Sequence, residues 1–173
     1  MITLHEAADE FLAQRRIAVA GVSRDSKQSA NLIYRRLRDT GCETFAVNPN
    51  AGEVEGDRCY PSVRDIPDGV DGVVIVTTPE QALVVAADCV AARVPRVWLH
   101  RGMGPGSSSA EAVRFCREHD ISVIPGGCPN MFGAISDPGH KCMCAMLRVT
   151  GKIPRRLDYP AVRTYERAAQ PGR

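Results

Sequence analysis

A chain of 173 residues with 44% hydrophobic content is long enough for one domain with its own core, and needs no disulfide or metal staple. Its formal charge of +2, in a chain 24% charged, leaves no electrostatic footprint for nucleic acid, and no apolar run approaches the ~20 residues of a membrane span. What remains is a small-molecule ligand, with a protein partner or a second copy of the chain left open. With no signal-peptide pattern and an odd number of cysteines, seven, the expectation is a cytoplasmic protein with reduced thiols.

Thr3-Leu4-His5-Glu6 has the form of a capping box, and Leu4, Ala7, Ala8, Phe11 and Leu12 keep the spacing of one helical face, so a first amphipathic helix is predicted to end near Arg15. Ile17 to Ala20 is a short apolar strand that Gly21 breaks. A second helix starts at Ser29 or Ala30, with Leu32, Ile33 and Leu37 inward, and stops at Thr40-Gly41. Glu43 to Val47 is the next strand, closed by Asn48-Pro49-Asn50, where Pro49 forces Asn48 into an extended conformation. Ala51 to Asp68 is a loop-rich crossover, with a short strand at 58–60 and one helical turn at 62–66.

Val70 to Val76 is an almost continuous β-branched run, the pattern of a central strand covered on both faces. Thr78 then caps a helix with Pro79 at its first position, and Gln81 completes a capping box. Strands follow at 96–100 and 121–124. Between them lie a glycine-rich turn, Arg101 to Gly106, and a helix opened by a capping box at Ser108-Ser109-Ala110-Glu111. A last helix is predicted around 141–149, and from residue 151 a basic tail. Alternating strands and helices specify a single Rossmann-like domain over 1–150: a doubly wound parallel sheet in three α/β/α layers.

In such folds ligands dock outside the carboxyl ends of the strands. The turns there are Gly21 to Lys27, Asn48 to Asn50, Thr77 to Pro79, Arg101 to Gly106 and Gly126 to Asn130. A nicotinamide dinucleotide site wants Gly-x-Gly-x-x-Gly in the first turn and an acidic residue ending the second strand. Here Gly21 is followed by Ser23 and Ser26, and the second strand ends in Asn48-Pro49. The turn instead offers hydroxyls with two cations, Arg24 and Lys27, which suit a diphosphate or a phosphorylated ribose.

Taken in order, Val19-Ala20-Gly21-Val22-Ser23-Arg24-Asp25, Val47-Asn48-Pro49, Tyr60-Pro61-Ser62 with Asp65-Ile66-Pro67, Val97-Trp98-Leu99 and Cys128-Pro129 resemble the stand-alone coenzyme A-binding domain family. That family is similar to the nucleotide-binding domain of the succinyl-CoA synthetase α subunit. The resemblance covers roughly residues 13–132 and implies a bacterial-type protein that binds coenzyme A or an acyl-CoA across the strand ends, with no catalytic residue carried over. It places binding roles on Gly21, Ser23, Arg24, Lys27, Asn48, Pro49, Thr77, Thr78 and Pro79. The alternatives are an NAD(P)-binding oxidoreductase or redox-sensing regulatory module, and a regulatory module that docks through the basic tail and binds the nucleotide as a signal.

Each of these residues also has a plainer reading. Arg24 and Lys27 are then solvated, Asn48-Pro49 is a turn former, and Thr78 is an N-cap. Cys128, on the binding edge, is either a buried inert thiol or a partner for a pantetheine thiol. Cys128, His140, Cys142 and Cys144 could bind zinc, although residues i and i+2 of a helix point to different sides. Of the four histidines His100 alone falls on the binding edge, where its default is a satisfied polar residue.

Overall fold

The computed structural model describes residues 1–102, 104 and 106–159. In chain order the strands are β1 (Ile2–Thr3), β2 (Arg16–Ala20), β3 (Glu43–Val47), β4 (Glu53–Val54), β5 (Asp57–Tyr60), β6 (Gly72–Ile75), β7 (Arg96–Leu99), β8 (Ser122–Pro125) and β9 (Arg156–Leu157). The helices are α1 (Leu4–Leu12), α2 (Ser29–Asp39), α3 (Pro79–Ala91), α4 (Ala110–Glu118) and α5 (Pro138–Val149). Among the described residues seven strands form one sheet in the order β4-β5-β3-β2-β6-β7-β8, parallel except for β4. The Rossmann-like single domain is therefore the observed fold.

Strand alternation builds the two cores. Ile17 and Val19 of β2, Val74 of β6 and Trp98 of β7 pack with α1, α2 and α5 on one face. Ala18 and Ala20, Val73 and Ile75, and Val97 and Leu99 point the other way, to α3 and α4. β6 is buried at all four positions, because it lies between β2 and β7 with helices on both faces. Trp98 anchors the last turn: its Nε1 donates to the Gly126 carbonyl at 3.2 Å, and its ring meets Phe11 edge-on at 5.4 Å.

The chain runs from β2 outward through β3 to β5, then returns to β6 on the opposite side of β2. The strand order thus reverses between β2 and β6. That reversal parts the crossovers at the carboxyl edge and opens the crevice where such folds take ligands.

Several boundaries differ from the sequence reading. α1 closes at Leu12, since Ala13 is its C-cap, whereas the periodic pattern runs on toward Arg15. The 51–68 crossover contains a β4–β5 hairpin, with Glu55 (φ 53) and Gly56 (φ 80) at its turn, and β5 joins the sheet as a parallel neighbour of β3. α4 is capped by Ser109, which accepts from the Ala112 N–H, so Ser108 and Glu111 do not form the predicted box. α5 begins at Pro138, earlier than the predicted 141. Asp137 caps it by accepting from the His140 N–H at 2.9 Å, and proline suits the first helical position, where no N–H is needed.

The segment after Gly151 returns to the domain. β9 pairs antiparallel with β1, and Ile153, Leu157 and Tyr159 are buried against the α1 and α5 side. The tyrosine hydroxyl donates to Glu10 Oε2 at 2.8 Å. Arg163, Arg167 and Arg173 of the predicted basic tail lie outside the described residues.

Candidate ligand-binding site

The first turn leaves β2 through Gly21, whose φ of +105° and close approach to β6 both require glycine. A Cβ there would sit 2.2 Å from the Val76 carbonyl oxygen. Beyond it the turn is pinned from beneath by Asn31 of α2, which is fully buried. The Asn31 amide accepts from the Ser23 N–H at 3.0 Å and donates to the Ser23 carbonyl at 2.7 Å and to Glu55 Oε1 at 2.7 Å. Ser23 Oγ accepts from the Asp25 N–H at 3.1 Å, which tightens the tip. Arg24 and Lys27 are exposed on this rigid base, with Arg24 Nη2 donating to the Asn50 carbonyl at 2.9 Å. The α2 helix that follows has Gln28 at its N-cap with no side-chain hydrogen bond, so no side chain of the cap satisfies its leading N–H groups.

The second and third turns flank the first. Asn48 Nδ2 donates to the Val22 carbonyl at 2.8 Å and its Oδ1 accepts from Asn50 N–H at 2.9 Å, so this side chain ties the β2 and β3 turns together. Pro49 is exposed beside it. After β6, Thr77 N–H donates to Ser107 Oγ, and that hydroxyl donates to the Thr77 carbonyl, each at 2.7 Å. Thr78 caps α3 by accepting from the Gln81 N–H, and Pro79 takes the first helical position. All nine predicted residues therefore fall on the turns after β3, β2 and β6, three adjacent strands spanning the reversal in strand order. Their side chains do two kinds of work. Asn48 and Thr78 hold the turns, while Arg24 and Lys27 face solvent.

A cleft of about 420 Å³ opens on the same edge, toward β7 and β8. Its walls are Ser29 and Leu32 of α2, His140 and Met143 of α5, His100 after β7, and Cys128 and Asn130 after β8, with Gly102, Gly104 and Gly106 along the rim. None of the nine predicted residues lines it. The two regions meet at the start of α2, since Ser29 lines the cleft and the preceding residues are the first turn. The Arg101–Gly106 and Gly126–Asn130 turns, expected on the binding edge, supply much of this second region.

The electrostatics of the cleft come from a few groups. Burial pushes His100 down to about 4, and the nearby His140 adds to the effect, so this side chain is neutral at ordinary pH. Burial likewise pushes the Cys128 thiol up to about 11, which makes it the inert thiol of the two readings offered for it. The His140 N–H and the Arg36 guanidinium, 2.6 Å away, hold the Asp137 carboxyl well below the usual carboxylate range. Asn130 is 1% exposed and its Oδ1 has no hydrogen-bond partner among the described residues. No group of three or more His, Cys, Asp or Glu side chains is placed to hold a metal ion among the described residues, and Cys142 is exposed while Cys144 is buried. No helix among the described residues is long and apolar enough to cross a membrane.

Asn31, Ser107 and the Asp137–His140 pair were not singled out for this edge by the sequence reading, whereas Asn130 ends one of its predicted turns. Asn31 and Ser107 carry no local motif. Their roles arise from contacts with residues 8 and 30 positions away.

With this geometry in place, comparison with known proteins is decisive. The profile of the CoA binding domain family matches residues 15–134. The chain belongs to that family. Related to this family member are YneT of Bacillus subtilis, 26% identical over 70% of this chain and 87% of its own, and the ADP-forming acetate–CoA ligase II of Archaeoglobus fulgidus, 36% identical over 78% of this chain. The chain spans most of YneT but only 20% of the ligase. Among solved structures, the dinucleotide forming acetyl-coenzyme A synthetase 1 of Ca. Korarchaeum cryptofilum superposes with a TM-score of 0.59 at 30% identity, covering 67% of this chain and 26% of that one. A fifth of the ligase thus resembles this domain in sequence, and about a quarter of the synthetase resembles it in fold.

Proposed function

We propose that this CoA-binding domain holds coenzyme A or an acyl-CoA across the carboxyl edge of its sheet. The phosphates lie on the first turn, and the arm runs toward the β7–β8 side. One observation carries the reading: a basic turn, Arg24 with Lys27, stands at the reversal in strand order and leads into a helix whose N-terminus lacks a side-chain cap. Uncapped N–H groups, the positive end of the helix dipole and two cations together form an anion site. Family membership supplies the chemical class of the anion. The dinucleotide alternative finds less support, because β3 is followed by Asn48, whose amide is engaged by Val22 and Asn50, where a ribose-binding carboxylate is wanted.

Arg24→Ala and Lys27→Ala test the assignment, since both side chains are exposed and their removal leaves the core intact. Each is expected to weaken CoA binding by about 1.5–3 kcal/mol, the size of a charge-assisted hydrogen bond, in equilibrium dialysis with radiolabelled CoA. Unchanged affinity in both variants would remove the phosphate role from this turn.

A further inference from the structure

The cleft between α2 and α5 holds groups that phosphate recognition does not use. On its α5 wall His140 Nδ1 lies 2.6 Å from Asp137 Oδ2, and Asp137 is clamped in turn by Arg36. An ionised carboxylate only accepts hydrogen bonds, so Nδ1 carries the imidazole proton and donates it to Asp137. The ring nitrogen left for a ligand is then Nε2. This is the arrangement that turns a histidine into an oriented proton acceptor.

The other walls set what such an acceptor meets. His100 is neutral and places no competing positive charge beside His140. Cys128 is protonated and buried, so the protein's own thiol is not the nucleophile of this site. Asn130 Oδ1 is a buried acceptor with no donor among the described residues, and Asn130 lines the same cleft. A ligand that satisfies the whole set brings an N–H for Asn130 and an acidic X–H for His140. A cysteamine end carries both, an amide N–H two carbons from a thiol.

We propose that the cleft receives the amide and thiol end of the bound CoA arm, with Asn130 accepting the amide N–H and His140 Nε2 taking the thiol proton. The inference rests on the CoA reading above and adds an activity to it. In the step the S–H bond breaks, the proton passes to Nε2, and the electron pair stays on sulfur. The product is a thiolate beside an imidazolium that Asp137 stabilises. The cleft thereby generates the nucleophilic form of CoA at neutral pH, the form that attacks an acyl donor. Asp137 is a positioning residue, and Arg36 holds it in place.

The pH profile of iodoacetamide alkylation of bound CoA, with the alkylated CoA counted by mass, tests this on the full chain. CoA affinity is measured alongside by calorimetry. The midpoint for bound CoA is expected at least one unit below that of free CoA, about ten times more thiolate at neutral pH. His140→Gln is expected to return the midpoint to the free value, read on the CoA that remains bound. A bound thiol that titrates like free CoA, or one shifted equally in His140→Gln, overturns the proposal, and the wild-type profile decides alone where the variant does not fold. Absence of any CoA binding overturns the CoA reading itself, and this proposal with it. Binding with an unperturbed thiol overturns only the proton transfer.

Discussion

At the scale of single residues, His100 couples the cleft to the stability of the fold. Its ordinary value of 6.5 is pushed down to about 4 by burial, so between these values the unfolded chain binds a proton that the folded chain refuses. Stability from this group is full above pH 6.5 and is lost as the pH falls toward 4, by on the order of 3 kcal/mol. The carboxylates held low, Glu6, Asp25, Asp57, Glu80 and Asp137, act in the same direction but only below their ordinary 3.8 to 4.5. The window from pH 7 to 5 lies above that range and carries the His100 effect. Urea denaturation across that window is expected to show a falling midpoint in the wild type and a nearly flat one in His100→Gln; equal slopes would assign the effect to other groups. Asn31 makes a second residue-scale case. Asn31→Ala leaves the Ser23 N–H and carbonyl without their partner and is expected to cost about 1–3 kcal/mol, read from the same denaturation curves.

Among elements, the join between β2 and β6 bears the tightest constraint. Gly21→Ala forces a Cβ onto the Val76 carbonyl and a strained φ at once, whereas Gly41→Ala, at φ +85° with nothing nearby, meets only the conformational strain. The first is expected to destabilise by at least about 2 kcal/mol and the second by about 1, a difference that guanidinium unfolding resolves. Glycine at Gly21 was legible as a strand breaker, and so were the two strands, because a β-branched run such as Val73-Val74-Ile75 reads the same at any distance from its partners. Helix starts were legible where one side chain caps its own helix, as Thr3 and Thr78 do. The start of α5 was not. Asp137-Pro138-Gly139 has the composition of a loop, and only the bonds from His140 to the Asp137 carboxylate show it to be a cap. The cleft escaped notice for a related reason. His100, Asn130 and His140 are spread over 40 positions and meet only because α5 folds back beside α2, a placement set by packing of Cys144 and Leu147 into the core and not by any local pattern. The first-turn cations, by contrast, follow their strand directly and needed no such packing to be read.

The described residues close on themselves through their first and last strands. β1 pairs with β9, and Tyr159 reaches Glu10, which also pairs with Arg96 at the start of β7. Residues 153–159 therefore belong to the α1 and α5 side of the core, and removal of the chain after residue 150 uncovers apolar surface of that layer. Leu157→Ala alone, at 2% exposure, is expected to cost about 2–5 kcal/mol, measurable as a lowered urea midpoint with unchanged slope. Because this layer also carries α5, the truncated chain is expected to lose the cleft before it loses the first turn, so CoA affinity should fall less than thiol reactivity. The edge proposed to hold the ligand runs from β3 to β8, with the basic turn toward one end and the cleft toward the other, a span suited to a long ligand with a charged head and a thiol tail. Parallel calorimetric titrations of the intact protein with CoA and with NAD probe that whole edge at once. Saturable binding of one CoA per chain, with NAD binding at least about a hundredfold weaker, is the expected result, a gap of about 2.7 kcal/mol. Tight binding of NAD with none of CoA would contradict it.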